Sequence, residues 1–198
     1  MPVLECDPTE ARERLREAGA TISPGKTDHE VFHADLGEAH AVAYEDSVVV
    51  QGKRPVDITA VLEGDGGGRV HVYFDGACRG NPGPSAVGFV LVDEHGIVEE
   101  GGETIGRATN NQAEYEALIR ALEVAAQYGY DEIEIRGDSE LIVKQVRGAW
   151  QTNDPTLREY RVRVHELLDE FEEYSITHVP RETNERADDL ANEALDNA

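Results

Sequence analysis

Apolar positions along this chain fall into blocks of period two and blocks of helical period. A glycine run at Gly64-Asp-Gly-Gly-Gly-Arg69 separates two different arrangements of them. Before the run, Asp7-Pro-Thr-Glu10 predicts a helix start. Asp7 offers its side chain to the first free amides, and Pro8 sits where a missing N–H costs nothing. That helix should end near Gly19. Alternation over Val31–Leu36, Ala39–Tyr44 and Ser47–Gln51 predicts three short strands, and the Glu45-Asp46 corner folds the last two into a hairpin. Pro55–Leu62 reads as a closing helix.

After the run the pattern changes. Val70–Asp75 alternates as a strand. Ala86–Val92 is a second, returned through the Asp93-Glu-His-Gly96 turn as Ile97-Val98, and Gly102–Ile105 reads as a third. From Asn111 to Tyr128 the spacing of Ala113, Ala117, Leu118, Ala121, Leu122 and Ala125 is that of a helix, which Gly129 stops. Glu132–Arg136 is a strand. Ser139–Val146 and Leu157–Phe171 are helices split by Asp154-Pro155, Tyr174–Val179 is a last strand and Asn184–Leu195 a last helix. This order predicts an α/β fold, a mixed five-stranded sheet flanked by helices, with an antiparallel meander on one side and right-handed parallel crossovers on the other. The glycine run is the expected linker. It divides the chain into a small α+β N-terminal domain, residues 1–66, and a larger domain, residues 67–198. Roughly 60 residues make a marginal independent fold.

Charge alters this picture. The 198 residues carry 41 acids against 18 basic groups, for a net −23, and only Lys26, Lys53 and Lys144 are lysines. The acids are spread throughout: residues 1–68 carry net −8 and the remainder −15. Such a charge strains the compact state by self-repulsion. At molar salt, where the Debye length is about 3 Å, the repulsion between surface acids largely vanishes. A salt-rich cytosol is the expected setting. Binders of nucleic acid are usually basic, and counterion release drives little at high salt. Any such binding would rest on hydrogen bonds, shape and bridging metal ions. No run of about 18 apolar residues predicts a membrane span, and the start lacks the basic-then-apolar order of a secretory signal. Cys6 and Cys78 have neither C-x-x-C nor zinc-ligand spacing and read as free thiols of a cytoplasmic protein. No obligate protein partner is indicated.

The candidate chemistry is carboxylate chemistry. Asp75 ends the first strand of the larger segment, in Asp75-Gly-Ala-Cys-Arg-Gly-Asn-Pro-Gly-Pro84. Glu114 closes Thr109-Asn-Asn-Gln-Ala-Glu114 and is expected in the first turn of its helix. Asp138 follows a strand in Gly137-Asp-Ser139, and Asp188 stands in Asn184-Glu-Arg-Ala-Asp188. Hard divalent cations take oxygen ligands. Phosphodiester hydrolysis benefits from two such ions roughly 4 Å apart. In α/β sheets a ligand site lies by the carboxyl ends of strands, where these acids can converge. Singly, each has an ordinary explanation: helix-start acids favour the helix dipole, and a strand-end Asp forms turns. Asp189, next to Asp188, reads as a solvated helix acid.

Taken together, Tyr73-Phe-Asp-Gly-Ala with Gly80-Asn-Pro-Gly-Pro84, Thr109-Asn-Asn-x-Ala-Glu114, Gly137-Asp-Ser139 and Asn184-Glu-Arg-Ala-Asp188-x-Leu-Ala191 resemble ribonuclease H, type 1, over residues 70–195. The resemblance implies a metal-dependent endoribonuclease that cuts the RNA strand of RNA–DNA hybrids and leaves 5′-phosphate and 3′-hydroxyl ends. It implies that Asp75, Glu114, Asp138 and Asp188 hold two Mg²⁺ or Mn²⁺ ions, with Asp75 bridging both. It assigns Asn81, Asn110 and Asn111 to the minor groove and the ribose hydroxyls, and Arg107 and Thr109 to a DNA-strand phosphate. Amides suit a 2′-OH, which both donates and accepts. Asn110 also reads as a helix cap.

Three departures accompany the resemblance. Val146–Asn153 leaves no room for a basic protrusion between helices, and Glu140 stands where glutamine is usual. The loop Pro180-Arg-Glu-Thr-Asn184 has no histidine, so Arg181 is the candidate auxiliary group, while His178 reads as a sheet residue. His33, His40, His71, His95 and His165 show no ligand spacing. Ala41–Lys53 resembles, over about a dozen residues, the TATA-binding-protein-like substrate domain of type 3 ribonuclease H. Two other readings stay open from sequence: the same fold cutting double-stranded RNA or DNA, and a non-catalytic module that binds hybrids.

Overall fold

The computed structural model describes residues 2–63, 68–94 and 96–198. Most of the expected linker (residues 64–67) and His95 of the expected turn lie outside them. The chain divides into two compact units: Met1–Gly68 with Gln127–Asp131, and Arg69–Ala126 with Glu132–Ala198.

The first unit is a five-stranded antiparallel sheet with two helices. In chain order come β1 (Val3–Glu5), α1 (Pro8–Glu17), β2 (Thr21–Pro24), β3 (Phe32–Leu36), β4 (Ala39–Ala43), β5 (Ser47–Gly52) and α2 (Val56–Glu63). The sheet order is β1-β5-β4-β3-β2. Asp7 caps α1 as its sequence predicts, accepting from the amides of Thr9 and Glu10 at 2.8 and 3.0 Å. Leu15 of α1 and Ile58 and Leu62 of α2 join Phe32, Ala34, Ala41, Val48 and Val50 in one buried core. Three strands were expected here and five form. The two extra strands, β1 and β2, are the sheet's edges. One is three residues long and the other ends in proline, so neither carries a readable alternation. Linear spacing also hid a side-chain chain on β3 and β4. Glu30 Oε2 lies 2.9 Å from His33 Nε2, His33 Nδ1 lies 3.0 Å from His40 Nε2, and His40 Nδ1 lies 2.7 Å from Asp35 Oδ1.

The second unit holds β6 (Arg69–Cys78), β7 (Gly83–Asp93), β8 (Gly96–Ala108), α3 (Asn110–Tyr128), β9 (Glu132–Gly137), α4 (Glu140–Val146), α5 (Pro155–Leu168), β10 (Glu173–His178), a short 3-10 turn (Arg181–Thr183) and α6 (Glu185–Asp196). Its sheet runs β10-β9-β6-β7-β8. β6, β7 and β8 form the antiparallel meander, and β9 and β10 add in parallel, as the order of elements predicts. Val70, Val72, Phe74, Val87 and Leu91 of the sheet, with Leu118, Leu122, Ile133, Ile135 and Leu168, form the buried centre. One expectation is corrected. The segments read as Ile97-Val98 and Gly102–Ile105 belong to one continuous 13-residue strand, β8. The glycines that seemed to interrupt it mark close approach. A Cβ on Gly101 would lie 2.9 Å from the Phe89 ring, and one on Gly102 2.4 Å from the carbonyl oxygen of Leu190 on α6.

Among the described residues, no helix is long and apolar enough to cross a membrane. Both cysteines are free thiols. At least nine of the fifteen arginines are paired with carboxylates, among them Arg14 with Glu10, Arg69 with Glu132, Arg120 with Glu103, Arg163 with Glu123 and Arg186 with Glu100.

Candidate active site

Strand register brings the first two acids together. β6 and β9 are parallel with Phe74 opposite Gly137. The next residues, Asp75 and Asp138, therefore emerge side by side at the carboxyl end of the sheet. Glu114 reaches the same place because α3 lies directly on β6. A Cβ on Gly76 would fall 2.3 Å from both the carbonyl carbon of Ala113 and the amide nitrogen of Glu114, so only glycine permits the contact. Gly88 does the same for α6. It pairs with Asp75 across the β6–β7 ladder, and a Cβ there would meet the Ala187 carbonyl oxygen at 2.1 Å.

One carboxylate oxygen from each of Asp75, Glu114 and Asp138 lies within 4.8 Å of the other two. Asp188, in the first turn of α6, is not one of these three but lies near enough for its charge to act on the Asp75 carboxyl. Glu114 corrects an expectation. It lies beyond the first turn of α3, at that helix's fifth residue, so serving the free amides of the helix start is not its role. Asp75 and Glu114 are each 6 % exposed. Burial first, then the charges of Asp138 and Asp188, push the Asp75 carboxyl up to about 8. Burial, then Asp75 and Asp138, hold the Glu114 carboxyl well above the usual range, against the pull of the Gly76 amide. Glu114 Oε2 is buried without a hydrogen-bond partner. Buried carboxylates with no protein cation between them are costly. Several oxygen donors, one of them orphaned, fit a hard divalent cation.

The residues assigned to substrate gather around the start of α3. Asn81 Oδ1 accepts from the Asn110 amide at 3.2 Å, and Arg107 Nη2 donates to the Pro82 carbonyl at 3.3 Å. Asn111 follows Asn110 on the first turn of α3. The cap of α3 is Thr109, not Asn110 as expected. The Gln112 amide donates to Thr109 Oγ1 at 3.3 Å and Gln112 Oε1 accepts from the Thr109 amide at 2.9 Å, a reciprocal capping box. Arg181 Nη2 donates to Asp188 Oδ2 at 3.0 Å from a largely exposed position. Asp189 is exposed, and Glu140 pairs with Lys144 at 2.7 Å.

Two neighbours of the acids escaped sequence reasoning. His178 ends β10 with Nε2 3.1 Å from the Asp138 carbonyl oxygen. The buried Asn184 donates through Nδ2 to the Phe74 carbonyl at 2.9 Å. Neither role could be read from linear position: His178 reads as a strand residue, and Asn184 as the first residue of the last motif and helix.

Known proteins resemble this chain in sequence and fold. Residues 73–194 match the family model described as Reverse transcriptase-like. Ribonuclease HI of Halobacterium salinarum is 68 % identical over 199 residues, covering all of both chains. The crystal structure of RNase H1 from the same archaeon is 72 % identical and superposes with a TM-score of 0.65, over 66 % of this chain and all of that one. LC11-RNase H1, solved in complex with an RNA/DNA hybrid, is 44 % identical with a TM-score of 0.61, over 65 % of this chain and 97 % of that one.

Proposed function

The chain belongs to the ribonuclease H type 1 family, and we propose that this ribonuclease H works through Asp75, Glu114, Asp138 and Asp188 as ligands of two divalent cations, Mg²⁺ or Mn²⁺. The substrate is the RNA strand of an RNA–DNA hybrid. Water adds to the scissile phosphorus, the bond to the 3′ oxygen breaks, and the products carry a 5′-phosphate and a 3′-hydroxyl. Bound metal supplies Lewis acidity toward the phosphoryl oxygens and an acidified water.

The chain's own residues do the rest. Asp75, with like charges on two sides, would be one of the residues that hold the metal. Glu114 brings an oxygen with no other partner. Asn81, Asn110 and Asn111 offer amides to the ribose hydroxyls, whose donor-and-acceptor character separates RNA from DNA. Arg107 and Thr109 offer N–H and O–H to a phosphate of the DNA strand. Arg181 neutralises Asp188 until substrate arrives and is then free to hold a phosphate oxygen. Residues 67–198 carry the reaction, and residues 1–66 are an appended unit that serves substrate binding.

The observation that carries this reading is the convergence of acids from separate strands and helices, two of them buried and short of positive charge. We also read the protein as halophilic and cytoplasmic, on its acid excess and free thiols. The test is cleavage of labelled hybrid, duplex RNA and duplex DNA in molar KCl with Mg²⁺ or Mn²⁺. Hybrid should be cut in its RNA strand alone. Equal cutting of duplex RNA, or undiminished activity in EDTA, would refute the assignment.

A further inference from the structure

We propose that Asn184 is a positioning residue that fixes the distance between two of the metal-ligating carboxylates; this rests on the reading of Asp75 and Asp188 as ligands. Asparagine is among the best N-cap residues, and Asn184 stands at the N-cap of α6. Yet its side chain caps nothing there. It turns into the protein, 1 % exposed, and donates to the carbonyl of Phe74, 110 residues away. Its own backbone carbonyl accepts from the amides of Ala187 at 3.1 Å and Asp188 at 3.2 Å.

One residue thus joins two elements. The carbonyl just before Asp75 is held by the Asn184 amide, and the Asn184 carbonyl holds the amide of Asp188. Asp75 and Asp188 are at the two ends of this bridge, and their like charges repel whenever both are ionised. Without a tie, repulsion between the two charged carboxylates that a cation requires would open the gap between β6 and α6, and cation binding would have to close it again. The Asn184 Oδ1 atom is buried with no partner. A residue chosen only to fill space would avoid that penalty. Retaining an amide here makes sense for its donor arm. Aspartate would match its shape and lose that arm, setting a carboxylate against a carbonyl oxygen.

The experiment is a Mn²⁺ titration of the full-length protein in molar KCl, followed by calorimetry and by the paramagnetic resonance of free Mn²⁺. It compares wild type, Asp188→Asn, Asn184→Asp and Asn184→Ser. Asn184→Asp and Asn184→Ser should each weaken Mn²⁺ binding about tenfold or more. kcat should fall while KM for hybrid stays within about twofold, since binding of the duplex lies elsewhere. Wild-type binding at both Asn184 variants, with only a lowered melting temperature, would make Asn184 a structural residue and overturn the proposal. Equal Mn²⁺ binding by wild type and Asp188→Asn would instead sink the reading of Asp188 as a ligand, and this proposal with it. Should both Asn184 variants fail to fold, wild type still decides. Mg²⁺ should slow hydrogen exchange at the Asp188 amide and the Asn184 side-chain amide together, and unchanged exchange at both would refute the bridge.

Discussion

At the scale of single residues, Asp75 couples the chemistry to stability. Its carboxyl ionises near 4 in an unfolded chain, by the reference value for aspartate, and near 8 in the fold. Between those values the folded protein keeps a proton that the unfolded chain has released. The contribution of Asp75 is therefore most favourable below about pH 4, falls as pH rises to about 8, and is level beyond, the reverse of an ion-paired carboxylate. The loss is on the order of a few kcal/mol, and a bound cation offsets it. Adding Mg²⁺ to the metal-free protein should raise the melting temperature more at pH 8 than at pH 5; scanning calorimetry showing equal shifts would contradict this. Asp138→Asn should lower kcat about a thousandfold, since a lost ligand costs several kcal/mol of transition-state stabilisation and 1.36 kcal/mol is tenfold. Steady-state kinetics on labelled hybrid checks this. The order of the four acids was legible in sequence because each follows a recognisable strand end or helix start. Asn184 and His178 were not, since their roles come from partners 110 and 40 positions away.

Elements add a second layer, in which glycines set the spacing of the site. Gly76→Ala drives a methyl into the backbone of α3 at 2.3 Å, and neither partner can yield by rotating a side chain. Overpacking of this kind costs about 1–3 kcal/mol. Because the displaced backbone includes the amide of Glu114, Mn²⁺ affinity should fall along with stability, as denaturant unfolding and a metal titration would show. In the first unit, the chain from Glu30 through His33 and His40 to Asp35 has three gaps to bridge. Two neutral rings supply two protons, so all three bonds form only when the pair holds one more. His40→Ala leaves the His33 Nδ1 atom, on a ring 5 % exposed, without its partner. The expected cost is about 1–3 kcal/mol, measurable as a lowered urea midpoint at unchanged slope. Helices were readable where their caps are local: Asp7 caps α1 as its position predicts, while Asp154, read only as a break between helices, proves to cap α5. Edge strands β1 and β2 were not readable, because a partner strand rather than their own pattern defines them.

For the whole molecule, charge is the dominant fact. A net charge of −23 predicts that stability rises steeply from dilute to molar KCl. A melting temperature that stays flat across that range would count against adaptation to salt.

The acid excess also leaves few cations idle, as the many arginine–carboxylate pairs show. A duplex approaching such a surface finds guanidinium groups already spoken for. A phosphate seated on one of these pairs takes over from a carboxylate, and the exchange frees few small ions into solution. Raising KCl should thus weaken hybrid capture only gently, with a log–log slope well short of the phosphate count. An enzyme built this way would meet brine not by gripping its substrate harder, but by having little ionic grip to lose.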